Sequence, residues 1–124
     1  MSSLIDARAK LKALLLPQVD TDPDVHDAPV DAVVTPALII GWRVPMLDHF
    51  ANCTAQANLF VMIVAERLEM ASGYETIEDQ YQRIEQTLRA AGWAIDGDSG
   101  PGAAEIGKTL YLACRVDVRV PITL

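Results

Sequence analysis

The sequence predicts an α+β fold with two helices and a sheet of about four strands. Three observations predict this class. Two segments repeat apolar residues at helical spacing, each behind a capping box. A third segment, residues 109–120, alternates apolar and polar residues as a strand with one buried face does. We therefore expect one domain over residues 1–124, with the element order α-β-β-α-β.

The first helix is predicted over residues 4–16. Ser3 and Asp6 form its capping box, and Pro17 ends the helical pattern. One face is apolar, with Leu4, Ala7, Leu11, Leu14 and Leu15. Such a stripe needs a sheet or another helix to cover it.

The second helix, residues 77–91, has the clearest pattern in the chain. Thr76 and Asp79 form its capping box, and one face carries Ile77, Tyr81, Ile84, Leu88 and Ala91. Gly92 is expected to take the left-handed conformation that ends many helices, which places Trp93 against Leu88.

The sequence patterns that predict the strands are less regular than those of the two helices. A short strand is predicted over 30–35, where Pro36 marks an edge, a bulge or the end, with a continuation over 38–42. The apolar run within 54–70 fits a buried helix or a strand, and its β-forming residues favour a strand over 58–66. The last strand, 109–120, is preceded by a possible extra strand near Glu105 that pairs back through a turn at Gly107. Residues 18–29, 43–53 and 96–104 are expected to be irregular, and the glycine-rich 96–104 to be mobile.

Composition narrows the classes of function. A net charge of −7 disfavours any partnership that depends on neutralising phosphates. The first residues lack the apolar core of a signal peptide, and the apolar run 59–65 is far shorter than the ~18 residues of a membrane span. Cys53 and Cys114 are far apart and lack paired spacing, which predicts reduced thiols in the cytosol.

No recognised chemical site stands out. Carboxylates occupy positions 1, 3, 5 and 12 of a calcium-type loop starting at Asp20, but Val25 stands where that loop needs glycine, and Asp31 where it needs glutamate. A solvated acidic loop is favoured, and a small metal- or ligand-binding domain is kept as an alternative. His26, His49 and the cysteines form no paired zinc motif. We expect no catalytic, cofactor-binding or metal-binding residues, no cofactor and no enzyme activity.

The order of parts resembles the tail terminator proteins of long-tailed bacteriophages, small subunits that ring the head-facing end of the tail. The helix over 4–16, the strand over 58–66 and the capped helix over 77–91 carry the resemblance. So does the chain end, where Gly107 leads into a strand of alternating valine and charge. The resemblance covers most of the chain.

The resemblance implies a mixed, mainly antiparallel sheet of about four strands with the two helices packed on one face. It also implies assembly into a homo-oligomeric, hexameric ring. It implies that the ring caps the tail tube protein on one side and joins head–tail connector and neck proteins on the other. The protein would then belong to the virion, be assembled in the host cytoplasm, catalyse nothing and involve no membrane. DNA would pass through the ring without specific binding. Head completion and adaptor proteins of the neck are similarly small, and they are the close alternative.

The outward row of the last strand supplies candidate subunit contacts. Tyr111, Arg115, Asp117 and Arg119 alternate with the apolar row and are expected to face solvent in a monomer. In a ring, they and Trp42 are candidates for the interface between subunits.

Overall fold

The computed structural model describes residues 3–15, 24–26, 36–49, 54–67 and 73–123. Its helices are α1 (Ser3–Leu15) and α2 (Gly73–Ala90). Its strands are β1 (Asp24–His26), β2 (Ala37–His49), β3 (Thr54–Arg67), β4 (Ala94–Asp98), β5 (Gly102–Ile106) and β6 (Thr109–Thr123). In these ranges, no helix is long and apolar enough to cross a membrane.

All six strands form one sheet, in the order β1-β2-β3-β6-β4, with β5 paired to β6 as well. β1 runs parallel to β2, and every other pair is antiparallel. The predicted α+β class with a mixed, mainly antiparallel sheet is confirmed. The predicted count of about four strands was too low, because the short strands β1 and β4 were not foreseen. The extra strand near Glu105 exists as β5.

The sheet has two unlike faces. On one, which we call the covered face, side chains of both helices join those of the three long strands in the main core, including Leu11, Ile84, Leu59, Ile63 and Val116. Each of these five is at most 1% exposed. The other face, which we call the open face, carries a smaller apolar cluster and a row of charged side chains. Strand periodicity separates the two sets, since successive residues point to opposite faces.

α2 ends as the sequence predicts. Gly92 has a φ of 87°, and the N–H groups of Gly92 and Trp93 donate to the carbonyl groups of Arg89 and Leu88 at 3.2 and 2.8 Å. This pair of bonds is the Schellman motif. Trp93 and Leu88 are both buried in the main core.

α2 begins earlier than predicted. Gly73, not Ile77, is its first residue, so the predicted capping box at Thr76 was wrong. A Cβ on Gly73 would lie 2.5 Å from Cδ2 of Leu112, so glycine lets the start of the helix approach β6 closely. Glu75 in the first turn suits the positive end of the helix dipole.

The loop predicted over 43–53 was wrong, because β2 covers most of that segment. The strand continues to His49, and Pro45 lies within a register shift between Trp42 and Leu47. A proline inside a strand is tolerated at such an irregularity on a sheet edge, where its missing N–H breaks no ladder bond. Residues 50–53 lie outside the described residues.

β6 is longer and more buried than predicted. It runs to Thr123, and residues 111–114 are buried on both faces. Leu110 begins the apolar row of the alternating pattern, which predicts a buried side chain, but it is 47% exposed. It lies beside the turn, where β6 pairs with β5 but not yet with β3, whose pairing begins at Tyr111.

Residues 96–104 are largely regular, contrary to the predicted irregular segment. They hold the end of β4 and the start of β5, and only 99–101 lie between these strands. The predicted strand over 30–35 lies outside the described residues. So does the acidic segment from Asp20 to Asp31, except for the backbone of β1.

Candidate functional site

The open face carries a connected group of charged side chains, which we call the arginine–aspartate cluster. It draws one residue from β2, one from β4 and three from β6, namely Arg43, Asp96, Arg115, Asp117 and Arg119. The three β6 residues share a face because they are spaced two apart.

Two aspartates link the arginines of the cluster. Asp96 accepts from Arg43 Nη1 at 2.7 Å and from Arg119 Nη1 at 3.0 Å, one arginine on each carboxylate oxygen. Asp117 accepts from Arg115 Nε at 2.9 Å. Arg43 Nε lies 3.9 Å from the other oxygen of Asp117 and connects the two pairs. The side chains therefore tie β2, β6 and β4 together across the open face.

The cluster is half-buried and carries excess positive charge. Side-chain exposure ranges from 20% at Asp96 to 45% at Arg119. Water still reaches these groups, so each pair contributes at most about 1 kcal/mol to stability. Three arginines against two aspartates leave one positive charge on a chain whose net charge is −7. Such a patch is suited to meet a negatively charged surface.

Phe60 lies beneath the cluster. The guanidinium carbon of Arg115 is 4.3 Å from the centre of the Phe60 ring, a cation–π contact. On the neighbouring strand, a Cβ on Gly41 would overlap Cζ of Phe60. The ring therefore occupies the space that a side chain at position 41 would need. Its face contacts the guanidinium group of Arg115.

We expect Gly41→Ala to displace the Phe60 ring and to lower the free energy of unfolding by about 1 kcal/mol, at the low end for overpacking because the ring is only half-buried. Urea unfolding of the single variants and of Gly41→Ala with Phe60→Leu would test this. The smaller leucine should remove most of the penalty of the alanine. Equal costs of Gly41→Ala with and without Phe60→Leu would contradict the contact.

A buried amide supports the β2 irregularity next to the cluster. Asn58 is 4% exposed, and its Nδ2 donates to the carbonyl oxygen of Pro45 at 3.2 Å and to Oδ2 of Asp48 at 3.0 Å. Its Oδ1 accepts from Nε2 of Gln56 at 3.2 Å. Both amide protons of Asn58 thus hold the shifted part of β2 in place.

A hollow of about 240 Å³ opens beside Arg115 on the same face. Its walls are Met62, Ala104, Ala113 and Arg115, together with the small residues Ser99, Gly100, Gly102 and Ala103. Most of this lining is apolar or backbone, and among the described residues that line it, Arg115 is the only one with a charged side chain.

The free thiol in this region is structural. Cys114 is 2% exposed on the covered face. Burial and, after it, the charge of Asp98 raise the pKa of the thiol, so it is protonated and unreactive near neutral pH. Asp98 also accepts from the hydroxyl of Tyr81 at 3.2 Å. Partial burial and then Asp98 raise the pKa of that hydroxyl.

The structure gathers three of the five predicted interface residues. Arg115, Asp117 and Arg119 lie together on the open face. Tyr111 is only 7% exposed, in the smaller apolar cluster with Ile39, Val64 and Ile106, so its predicted solvent-facing position was wrong. Trp42 packs against the main core on the opposite, covered face.

Sequence reasoning missed Arg43 and Asp96. Both fell in segments that the sequence predicts as irregular, so neither was assigned to a face. Arg43 could have been assigned to the face of Ile39 and Gly41 from the sequence, because the three positions are spaced two apart. No sequence pattern could have placed Asp96, since its position follows from the pairing of β4 with β6.

Among the described residues, no group of three or more histidine, cysteine, aspartate or glutamate side chains is placed to hold a metal ion. No family model matches the chain, and no curated protein matches it. The fold and the cluster define an α+β protein with one covered and one partly charged, open sheet face.

Proposed function

We propose that this protein is a structural subunit that forms a ring at the head-proximal end of a phage tail, where it caps the tail tube and joins it to the head. The observation that carries the proposal is the placement of both helices on one face of a mixed sheet. The resemblance to tail terminator proteins implies that architecture.

The open face supports the same role. An exposed row of paired charges on a sheet can make side-chain contacts with a neighbouring subunit. Complementary charges in such a contact fix how the two subunits align and which partner is accepted. The arginine–aspartate cluster, with 20–45% of its side-chain area exposed, keeps part of its hydrogen-bonding capacity available to a neighbour. An acidic protein lining a ring would also let DNA pass without adhering to it.

The proposal is tested on the full chain, alone and with tubes assembled from a phage tail tube protein. Native mass spectrometry should find a closed oligomer, and negative-stain images should show it at one end of the tubes. A chain that stays monomeric and leaves tube ends bare would overturn the proposal. An oligomer that binds the head-side connector and not the tube would favour a head completion protein.

Charge reversal on the open face should weaken the ring. Arg119→Glu is expected to raise the protein concentration at half-assembly by roughly tenfold, because it places a negative charge beside Asp96 in the contact. Arg89→Glu is the matched control, since Arg89 also forms one ion pair, with Glu85 at 2.9 Å, but lies on α2 away from the open face. Equal effects of the two variants in sedimentation would contradict a role for the open face.

A further inference from the structure

The shifted segment of β2 presents apolar side chains to solvent. Val44 is 99% exposed and Met46 is 43% exposed, with Pro45 between them. We call these three residues the apolar bulge. Single exposed apolar residues are ordinary, whereas these two lie close together on a segment that side-chain hydrogen bonds hold in place and form a small apolar patch. The bonds from Asn58 to Pro45 and Asp48 hold the segment in this position.

The bulge does not suit strand addition. Pro45 has no N–H to donate, and the register shift interrupts the strand edge around it. A partner would therefore meet this segment through side chains, with Val44 and Met46 entering a recess.

The hollow beside Arg115 is such a recess. Its volume, about 240 Å³, is below the roughly 300–1,000 Å³ of small-molecule sites, but it has space for an aliphatic side chain. Met62, Ala104 and Ala113 give it apolar walls. Arg115 at the hollow offers positive charge, and exposed Asp48, two residues after Met46, offers negative charge next to the bulge.

The bulge and the hollow of one chain cannot meet. Leu47, just after the bulge, pairs with Ala57, whereas Met62 in the hollow lies five residues further along β3, a distance of about 17 Å. The hollow also lies across the sheet, toward β5, about 14 Å away at three strand spacings. Only a second chain can bring a bulge into the hollow.

We infer that the apolar bulge of one copy of this chain inserts into the hollow of the next copy, with Asp48 of the incoming copy facing Arg115 of the receiving copy. Two different surfaces meet in such a contact, so it repeats head to tail and generates a ring when the rotation closes. The bulge then anchors a larger interface that includes the arginine–aspartate cluster. The inference rests on the proposed function only for closure of the contact into a ring.

Disulfide trapping tests the contact directly. In a Cys53→Ser background, Val44→Cys combined with Ala104→Cys should give, under mild oxidation, a ladder of covalent oligomers on non-reducing gels. An intramolecular bridge is excluded, because bridged Cα atoms lie within about 7 Å of each other. Each single cysteine variant should give no ladder. A double variant without a ladder, or a Val44→Cys dimer as abundant as the ladder, would overturn the inference.

Val44→Asp gives an independent measurement. It should raise the concentration at half-assembly at least roughly tenfold, since it carries a charge into an apolar recess. It should leave the melting temperature of the dilute, unassembled chain unchanged, since Val44 is 99% exposed there. Tyr74→Asp is the control, at a side chain that is 56% exposed on α2, and should change neither quantity. An unchanged assembly of Val44→Asp would overturn the inference.

These outcomes separate the two proposals. A trapped ladder from a protein that leaves tail tubes uncapped would support the head-to-tail contact and contradict the tail function. A ring that caps tubes but resists both the trapping and Val44→Asp would support the function and contradict the contact.

Discussion

Val116→Asp is expected to abolish cooperative folding, whereas Asp117→Val at the next position should leave the fold intact. Val116 is 1% exposed and lies in the main core beneath the helices. A lone carboxylate there, charged or neutralised, has to give up its hydration, at a cost of several kcal/mol. That is comparable to the roughly 5–15 kcal/mol by which a domain is stable.

The matched substitution acts on the other face. The Asp117 side chain is 31% exposed and ion-paired with Arg115, so Asp117→Val should cost no more than about 1 kcal/mol. Circular dichroism with thermal melting would compare the two variants with the natural chain. A Val116→Asp protein that melts near the natural temperature would contradict coverage of this face by the helices.

Val116 and Asp117 lie on opposite faces of β6, as the alternating pattern predicts, and they show which parts of the fold the sequence predicts. Alternation along β6 and helical spacing along α2 are local signals, and both elements appear where the patterns lie. The end of α2 was equally predictable, because Gly92 and Trp93 provide a conformation and an apolar contact at fixed offsets. These features depend on residues close in the chain.

The errors arise where distant strands decide the outcome. The glycine-rich residues 96–104 become strands because β6 pairs with them, and nothing in their own composition favours that. β2 continues past Pro45 because Asn58 of β3 holds the shifted backbone. Tyr111 is buried because a second apolar cluster forms on a face that the sequence predicts to be solvated.

The candidate site shows the same division. Arg115, Asp117 and Arg119 were predictable from period two, but their partners Arg43 and Asp96 depend on strand order and register. The apolar bulge and the hollow were not predictable at all. The bulge depends on the register shift in β2, and the hollow depends on the packing of β5 beside β6.

Gln80→Met is expected to stabilise the protein by about 1–3 kcal/mol. Gln80 lies on the buried side of α2 and is 6% exposed, yet its Oε1 accepts no hydrogen bond from any residue that the structure describes. An unsatisfied buried acceptor carries a desolvation cost of that size. Methionine is close to glutamine in length and in helix propensity, so the substitution removes the acceptor without opening a cavity.

Gln82 supplies the matched control, because it lies on the same helix with its side chain exposed. Gln82→Met should change the free energy of unfolding by less than about 0.5 kcal/mol. Urea unfolding of both variants at one protein concentration gives the comparison, with the slope m checked to be equal, so that a midpoint shift reports stability alone. If the midpoint of Gln80→Met falls below that of Gln82→Met, the amide has a favourable role in the core, and Oε1 is not a stability cost.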